Sequence, residues 1–376
     1  MLRALVLYAV FSIGECQKTD VEWIDDLERD VLDNYSYNVS PYSHAKNSTS
    51  KQGEMRISLI YARLTTVDEQ ALEHSNILGL QMSWVDPRLK WNVSNYGGID
   101  HLYVKLSKVW VPEAQFCEST SVTYLAPRYA QFVKISANGV VEMQKYMDVT
   151  FACNFDTFRF PFDIQYCMYC LTLPFYTSEE LVLNTTIDDD VFVQDTSEWS
   201  LALTGLSSNS FHEEADFFYF NVTMTRRPAF WVTLVILPTF LLVTVVLLGL
   251  FCGSVHEPIE NVSLGLATMM SMTVNVGILN ESLAKSQTLP IIGWFVLWEI
   301  VLITVAVISV LFIDQTKRRL LRTASAPPSP GDGLIENRKG LSAKSINKHC
   351  STAHFLLFIF FLILHAASLA ILLGQS

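Results

Sequence analysis

Four apolar segments occupy the C-terminal part of this chain, and they limit the folds that are open to it. They lie at residues 229–252, 262–283, 291–313 and 352–373. A helix needs about 20 predominantly apolar residues to cross the hydrocarbon core of a bilayer. Because lipid cannot hydrogen-bond the backbone, each segment is predicted to be a membrane-spanning helix. The chain is therefore predicted to combine a membrane bundle with a water-soluble domain.

The composition excludes some partners. Of the 376 residues, 50% are hydrophobic and 17% are charged, and the formal net charge is −11. A chain of this sign is a poor ligand for nucleic acid, so no nucleic-acid partner is expected. Acidic runs such as 188–190 precede the first apolar segment. They either serve solubility alone or attract cations and cationic ligands.

The N-terminus has the layout of a cleaved secretory signal at residues 1–16, in which Arg3 precedes an apolar run. Six Asn-x-Ser/Thr motifs lie between this signal and the first apolar segment, and one of them, at Asn38, is weakened by Pro41. Such motifs accept N-linked glycans in secreted domains. We predict glycosylation at Asn34, Asn47, Asn92, Asn184 and Asn221. Residues 17–227 are therefore predicted to be extracellular.

The extracellular part reads as short apolar or alternating stretches that are broken by turn residues, for example 57–64 and 217–225. This pattern is typical of a β-sandwich. The pair Asn138-Gly139 between two such stretches predicts a hairpin turn. One helix is expected near 21–35. The predicted fold is an extracellular all-β sandwich plus a four-helix transmembrane bundle.

The segment between the third and fourth apolar runs, 314–349, carries an excess of Lys and Arg. Such an excess marks the cytoplasmic side of a membrane protein. We therefore expect helices one to three within 228–313, a short cytoplasmic loop at 314–349, and the fourth helix with an extracellular tail at 350–376. Both termini of this multi-pass protein are then extracellular.

The second apolar segment differs from the others because it carries polar groups, which lipid penalises unless they face neighbours or water. On a helix, seven of its residues or flanking residues fall in one stripe. Five such stripes around an axis would form a water path with an apolar constriction and acidic mouths that attract cations. The alternative is that the polar face only packs against other helices. The predicted pore-lining residues are Glu260, Ser263, Ala267, Met270, Val274, Gly277 and Glu281.

Cys153 and Cys167 enclose the sequence Phe160-Pro161-Phe162-Asp163 and precede the four apolar segments. This combination resembles the Cys-loop (pentameric) ligand-gated ion channels, and within them the nicotinic acetylcholine receptor-like subunits. The resemblance implies a Cys153–Cys167 disulfide and a homo- or hetero-pentamer of related subunits in the lipid of the plasma membrane. Its implied ligand is a small cationic neurotransmitter, and its permeant ions are inorganic cations. It allows a postsynaptic location. The sequence carries no metal-spaced His/Cys cluster, nucleophile elbow or phosphate loop, so no enzymatic activity, cofactor or metal is expected.

The resemblance also assigns a ligand site between subunits, where aromatic rings hold a cationic group. The segment 81–94 resembles the strand that carries the complementary-face tryptophan, which assigns Trp84, with Glu142 and Gln144 on a neighbouring strand. Trp110-Val-Pro-Glu113 resembles a segment of the principal face, although Cys117 stands at its tyrosine position. The other candidates on that face are Phe116, Phe175, Tyr176, Phe211 and Phe217. For Phe175, Tyr176 and Phe211, core packing is the alternative.

The pairing of Cys117 and Cys170 stays open, because these residues either form a second disulfide or remain free thiols. Arg226-Arg227-Pro228 lies where the resembled family couples its extracellular domain to the first span.

Ion selectivity gives conflicting signals. Ile259-Glu260-Asn261 stands where anion-selective members carry Pro-Ala-Arg, which favours cation conduction, whereas 264–266 and Met272-Thr273 look more like the anion branch. We therefore predict a subunit of a neurotransmitter-gated, cation-selective channel. The alternatives are an anion channel of the same fold and an accessory subunit that binds no agonist.

Overall fold

The computed structural model describes residues 18–42, 52–211, 215–252, 258–282, 289–324 and 336–374. The predicted signal sequence and the glycosylation candidate Asn47 lie outside the described residues. Side chains are described for most of these ranges, with the exception of 209–211, 215–216, 252, 258–259, 282, 324 and 336–343.

The chain opens with helix α1, Asp20–Leu32, in the region where the sequence predicts a helix. Thr19 caps it, because its hydroxyl accepts from the Glu22 amide while the Glu22 carboxylate accepts from the Thr19 amide at 2.8 Å. This reciprocal pair satisfies two amides that otherwise lack helical partners. Leu27 anchors the helix on the β-domain because its side chain is fully buried.

Eleven strands follow in the described residues and form two sheets. The larger sheet has the order β3-β6-β7-β2-β1-β9, with β5 also paired to β7, and the smaller has the order β10-β11-β8-β4. The strands are β1 Gly53–Asp68, β2 Glu73–Val85, β3 His101–Lys105, β4 Gln115–Phe116, β5 Ser119–Tyr124, β6 Phe132–Ser136, β7 Val140–Ala152, β8 Ile164–Thr172, β9 Leu181–Gln194, β10 Trp199–Phe211 and β11 Ala215–Arg226. Apolar residues from both inner faces fill the core, and the predicted all-β extracellular domain is confirmed.

The hairpin between β6 and β7 turns at Asn138-Gly139, as the sequence predicts. Gly139 has a φ of +85°, which L-residues with a side chain rarely adopt. The Gly139 amide donates to the Ser136 carbonyl at 2.8 Å, and the Val140 amide donates to the Asn138 side chain at 3.1 Å. The turn therefore fixes the register of the β6–β7 pair.

A disulfide joins Cys153 to Cys167 and closes the loop between β7 and β8. Phe160 in this loop is fully buried and lies edge-on to Trp231, with ring centroids 4.8 Å apart. The amide of Ile291 donates to the Phe158 carbonyl at 2.9 Å. The loop therefore contacts both the first and the third of the helices that follow.

Four helices are long and apolar enough to cross a membrane. The first combines α2, Ala229–Trp231, a π-helical turn, Val232–Ile236, and α3, Leu237–Cys252. The others are α4, Pro258–Ser282, α5, Ile291–Ala324, and α6, Glu336–Leu373. The extracellular β-domain and this bundle confirm the predicted architecture.

The third and fourth helices extend further than the apolar runs alone predict. The helix α5 continues to Ala324, and α6 begins at Glu336, so much of the segment 314–349 is helical rather than loop. Lys, Arg and Leu residues beyond Ile313 are good helix formers, and they carry the helix past the apolar region.

Candidate ligand site and pore

The prediction that Trp84 lines a ligand site is wrong. Its side chain is 1% exposed and belongs to the core between the sheets. Strand β2 alternates, so that Met82 and Trp84 face inward while Gln81 and Ser83 face outward. No surface ligand can reach the indole ring in this arrangement.

A different aromatic group, which sequence reasoning missed, lies over the outward face of β2 and comes from neighbouring strands of the same sheet. Tyr61 on β1 stacks on Phe192 of β9 with ring centroids 5.6 Å apart and an interplanar angle of 10°. Tyr146 on β7 lies edge-on to Tyr61 at 6.1 Å. We call Tyr61, Tyr146 and Phe192 the aromatic cluster. It is partly open to solvent, since Phe192 is 58% exposed and Tyr146 is 39% exposed.

Gly79 lies beneath this cluster and makes room for it. A Cβ atom at Gly79 would lie 2.6 Å from Cε1 of Tyr146 and 2.8 Å from Cβ of Tyr61. Real Cβ atoms do not approach other atoms so closely, so a larger residue would displace the rings. Gly79 is an odd number of positions from Trp84, which places it on the opposite face of β2.

Glu142 and Gln144 share the outward face of β7 with Tyr146. Gln144 pairs across the sheet with Gln81, and the Glu142 carboxylate lies 3.8 Å from the Lys134 ammonium. The structure therefore places Gln144 next to Tyr146 and Glu142 farther along the same outward face, and both lie on the face opposite to Trp84.

On the other sheet, a disulfide joins Cys117 to Cys170 with a Cα–Cα distance of 5.3 Å. The Cys117 amide also donates to the Cys170 carbonyl at 3.0 Å. The pairing that the sequence left open is thus formed. It ties the segment after β4 to β8.

The remaining aromatic candidates divide between core and surface. Phe116 packs edge-on against the buried Phe151 at 5.2 Å, so its ring serves the core. Phe175 is 68% exposed. Tyr176 is half-buried with its ring edge-on to Trp110 at 6.1 Å, and burial raises the pKa of its hydroxyl.

Phe217, half-buried on β11, pairs with Thr172 of β8, which also pairs with Gln115 of β4. Phe217 thus lies near the strand that carries Cys170. The backbone of Phe211 ends β10, and its side chain lies outside the described part of the chain.

In α4, all seven predicted pore residues are exposed, among them Met270 at 72% and Val274 at 62%. The opposite side of the helix faces its own bundle. The buried positions on that side are Asn261, Gly265, Thr268, Met272 and Leu279. A Cβ atom at Gly265 would lie 2.8 Å from Val307 of α5, so the two helices approach closely there. Asn275 donates to the Thr239 hydroxyl at 3.0 Å, so part of the polar content of α4 serves helix packing.

The junction between domain and membrane centres on Arg226, the last residue of β11. Its guanidinium is fully buried and contacts the carboxylates of Asp163, Glu69 and Glu198 at 2.7, 2.5 and 2.8 Å. Burial raises the pKa of Glu69. Gln70 donates to the backbone carbonyl of Glu281 at the end of α4. The β1–β2 turn, the 153–167 loop and β11 therefore meet above the helices.

Part of this sequence matches a known protein family. Residues 24–228 match the neurotransmitter-gated ion-channel ligand-binding domain, so the chain belongs to the neurotransmitter-gated ion-channel family. It is 27% identical over 313 residues to the neuronal acetylcholine receptor subunit non-alpha-2 of Carassius auratus, covering 81% of this chain and 66% of that protein. It is 25% identical over 338 residues to subunit beta-4 of Mus musculus, covering 85% and 64%. It is 23% identical over 313 residues to subunit alpha-5 of Rattus norvegicus, covering 80% and 66%. The chain thus spans slightly under two thirds of the length of these relatives. Its four helices and these relatives indicate a multi-pass plasma-membrane protein.

Proposed function

We propose that the chain is a subunit of a pentameric, neurotransmitter-gated channel that conducts cations through a pore lined by α4. The observation that carries this proposal is the division of α4 into two faces. Five positions on one side of the helix are buried against its own bundle, and the remaining described positions, which include the whole stripe from Glu260 to Glu281, are exposed or partly exposed. A helix whose exposed stripe mixes acidic, small and apolar residues fits a channel axis better than lipid.

Selectivity follows from the ends of this stripe. Carboxylates at Glu260 and Glu281 would form acidic rings at both mouths in a pentamer, and such rings concentrate cations. Of the positions that resemble the anion-selective branch, Gly265 and Met272 are buried against the bundle, whereas Leu264, Leu266 and Thr273 are exposed. At the two buried positions the resemblance concerns helix packing, and the carboxylates at the mouths favour cation conduction. Met270 and Val274 would form the apolar constriction.

For the ligand, we propose a small cationic transmitter bound between subunits. The aromatic cluster with Glu142 and Gln144 forms the complementary face, because ring faces and a carboxylate both attract an ammonium group. Phe175, Tyr176, Phe211 and Phe217 remain the candidates for the principal face. Because Cys117 stands at the tyrosine position and is held in the Cys117–Cys170 disulfide, that face lacks a tyrosine hydroxyl. For agonists that need this hydroxyl, the accessory-subunit alternative is favoured.

The test is expression in oocytes, alone and with a neuronal beta-4 subunit, under voltage clamp. Acetylcholine, choline, biogenic amines, GABA and protons are applied, and reversal potentials are measured in altered sodium and chloride. A current whose reversal potential follows sodium supports the proposal. Glu260→Gln should then lower the preference of this current for cations. A current that follows chloride overturns the selectivity argument. Surface protein without current in any combination overturns the agonist-binding role.

A further inference from the structure

Inside the membrane bundle, three helices meet at a cluster of polar side chains that the pore and the ligand site do not use. Glu299 of α5 and His365 of α6 are both fully buried, and Nδ1 of His365 lies 2.9 Å from Oε2 of Glu299. The hydroxyl of Ser368 contacts the other Glu299 oxygen. Ionisable groups at membrane depth are costly, so they persist only with defined partners.

The first span completes the cluster. Nε2 of His365 lies 3.1 Å from both the Phe240 carbonyl oxygen and the Thr244 hydroxyl, and the imidazole stacks on the Phe240 ring at 4.2 Å. The Thr244 hydroxyl gives its only proton to that carbonyl at 2.8 Å. A carbonyl oxygen only accepts, so with the Thr244 proton on that carbonyl the two neighbours of Nε2 are acceptors, and this arrangement favours a proton on Nε2 of His365.

This leaves one further proton between Nδ1 and the Glu299 carboxylate. Held on Nδ1, it gives an imidazolium beside a carboxylate, and held on Oε2 it gives a neutral imidazole beside a carboxylic acid. Both arrangements contain the same atoms and have zero net charge. The pair is therefore neutral in either arrangement, whereas removal of one partner leaves the other buried without its hydrogen bond and without a compensating charge.

The fourth span depends on this pair because it packs thinly elsewhere. Among the described side chains of α6, residues 344–373, only Phe361, His365 and Leu372 are buried. Their spacing of four and seven places them in one stripe. We propose that Glu299 and His365 are positioning residues, a neutral proton-sharing pair that docks the fourth span on the first and third and sets its rotation.

The test uses the full chain expressed in cells, with surface protein and the melting temperature of the detergent-extracted protein as readouts, so it needs no agonist. His365→Phe preserves ring size and stacking on Phe240 but leaves Glu299 buried without its partner. We expect it to lower the melting temperature and to remove most surface protein. The double variant Glu299→Leu/His365→Phe, with both charges gone, is expected to recover both readouts.

The matched control is His354→Phe on the same helix, because His354 is only partly buried and lies 3.7 Å from Asp314. Glu299→Gln should be milder than His365→Phe, since the amide can donate to Nδ1 of a neutral imidazole. A His365→Phe protein that behaves like the His354→Phe control overturns the proposal. So does a double variant as damaged as the single one, because that result assigns the site to shape rather than to charge pairing.

Discussion

Arg226 and Asp163 form an ion pair in which Nε and Oδ1 are 2.7 Å apart and both side chains are buried, with exposures of 0% and 1%. The guanidinium carbon also lies 4.0 Å from the ring centroid of Trp199 and 4.6 Å from that of Phe160. The end of the β-domain is thereby fixed to the 153–167 loop directly above the first span.

We expect Arg226→Met to destabilise the fold by about 3–5 kcal/mol, because it leaves buried carboxylates without a counter-charge. The neighbouring Arg227→Met is the control. Arg227 is half exposed in its ion pair with Asp195, and such a pair contributes about 0–1 kcal/mol. The measurement is chemical unfolding of the detergent-extracted protein, and equal losses in the two variants would contradict the expectation.

Gly79 should not tolerate a side chain. Gly79→Ala places a Cβ atom against Tyr146 and Tyr61, and we expect a loss of about 1–3 kcal/mol from overpacking. Gly277→Ala is the matched control, because nothing lies within 4 Å of a Cβ atom built there. Thermal unfolding of both variants checks this. A Gly79→Ala protein as stable as the parent would contradict the expectation, because the rings of the aromatic cluster would then move aside at no cost in stability.

The Cys117–Cys170 disulfide should contribute more to stability than Cys153–Cys167. The two bridges close sequence separations of 53 and 14 residues. Loop-closure entropy then gives about 4 and 3 kcal/mol respectively. Paired Cys-to-Ser variants compared by denaturant unfolding measure the difference. Alkylation of the unreduced protein should label Cys350, which is free, and spare Cys117 and Cys170. Labelling of Cys117 would contradict the bridge.

His74 should make the extracellular domain sensitive to acid. Its imidazole is 1% exposed between Phe151 and Tyr169, and burial lowers its pKa to about 4 from 6.5. The unfolded chain gains a proton as the pH falls below 6.5, whereas the folded chain does not until about 4. Stability is therefore complete above this window and falls within it, by about 3 kcal/mol in total.

Melting temperature measured from pH 7.5 to 4 for the parent and for His74→Phe checks this. The variant keeps an aromatic ring in the same place and should lose part of the slope in this pH range. Parallel curves for the two proteins would exclude His74 as the source of the acid sensitivity.

The two faces of α4 should differ in chemical accessibility. In the assembled protein, cysteines placed at Met270 and Val274 should react with a small cationic thiol reagent, because water reaches a pore-lining stripe. A cysteine at Met272, which is fully buried against the bundle, should resist it. Mass spectrometry of labelled membranes gives the result, and equal labelling at the three positions would contradict a pore along this stripe.

The sequence predicts the features that depend on local pattern. The four apolar runs, the helix near α1 and the Asn138-Gly139 turn follow from length, capping and backbone preference at neighbouring residues. The stripe on α4 follows from helical spacing alone, and all seven positions that this spacing selects are exposed, together with other positions beside them.

The aromatic cluster could not be predicted in the same way. Tyr61, Tyr146 and Phe192 come from three strands, and a register shift between Leu59 and Tyr61 reverses the alternation of β1, so that Tyr61 faces outward. Such a bulge depends on pairing with distant strands and leaves little trace in the local pattern.

The error at Trp84 could have been avoided from the local sequence. The strict alternation of β2 places Trp84 on the same face as Leu80 and Met82, and counting along the strand would have assigned it to the core.

Both disulfides end on β8, at Cys167 and Cys170. Three residues of extended strand span only about 10 Å. One bridge leads to the segment beside the candidate ligand residues, and the other leads to the loop whose Phe158 and Phe160 touch the helices. The strand is therefore a short connection that is cross-linked by a disulfide to each of the two regions. The segment that holds Cys117 and the Cys153–Cys167 loop are thus joined by an unbroken path of covalent bonds, which limits how far the two can move apart.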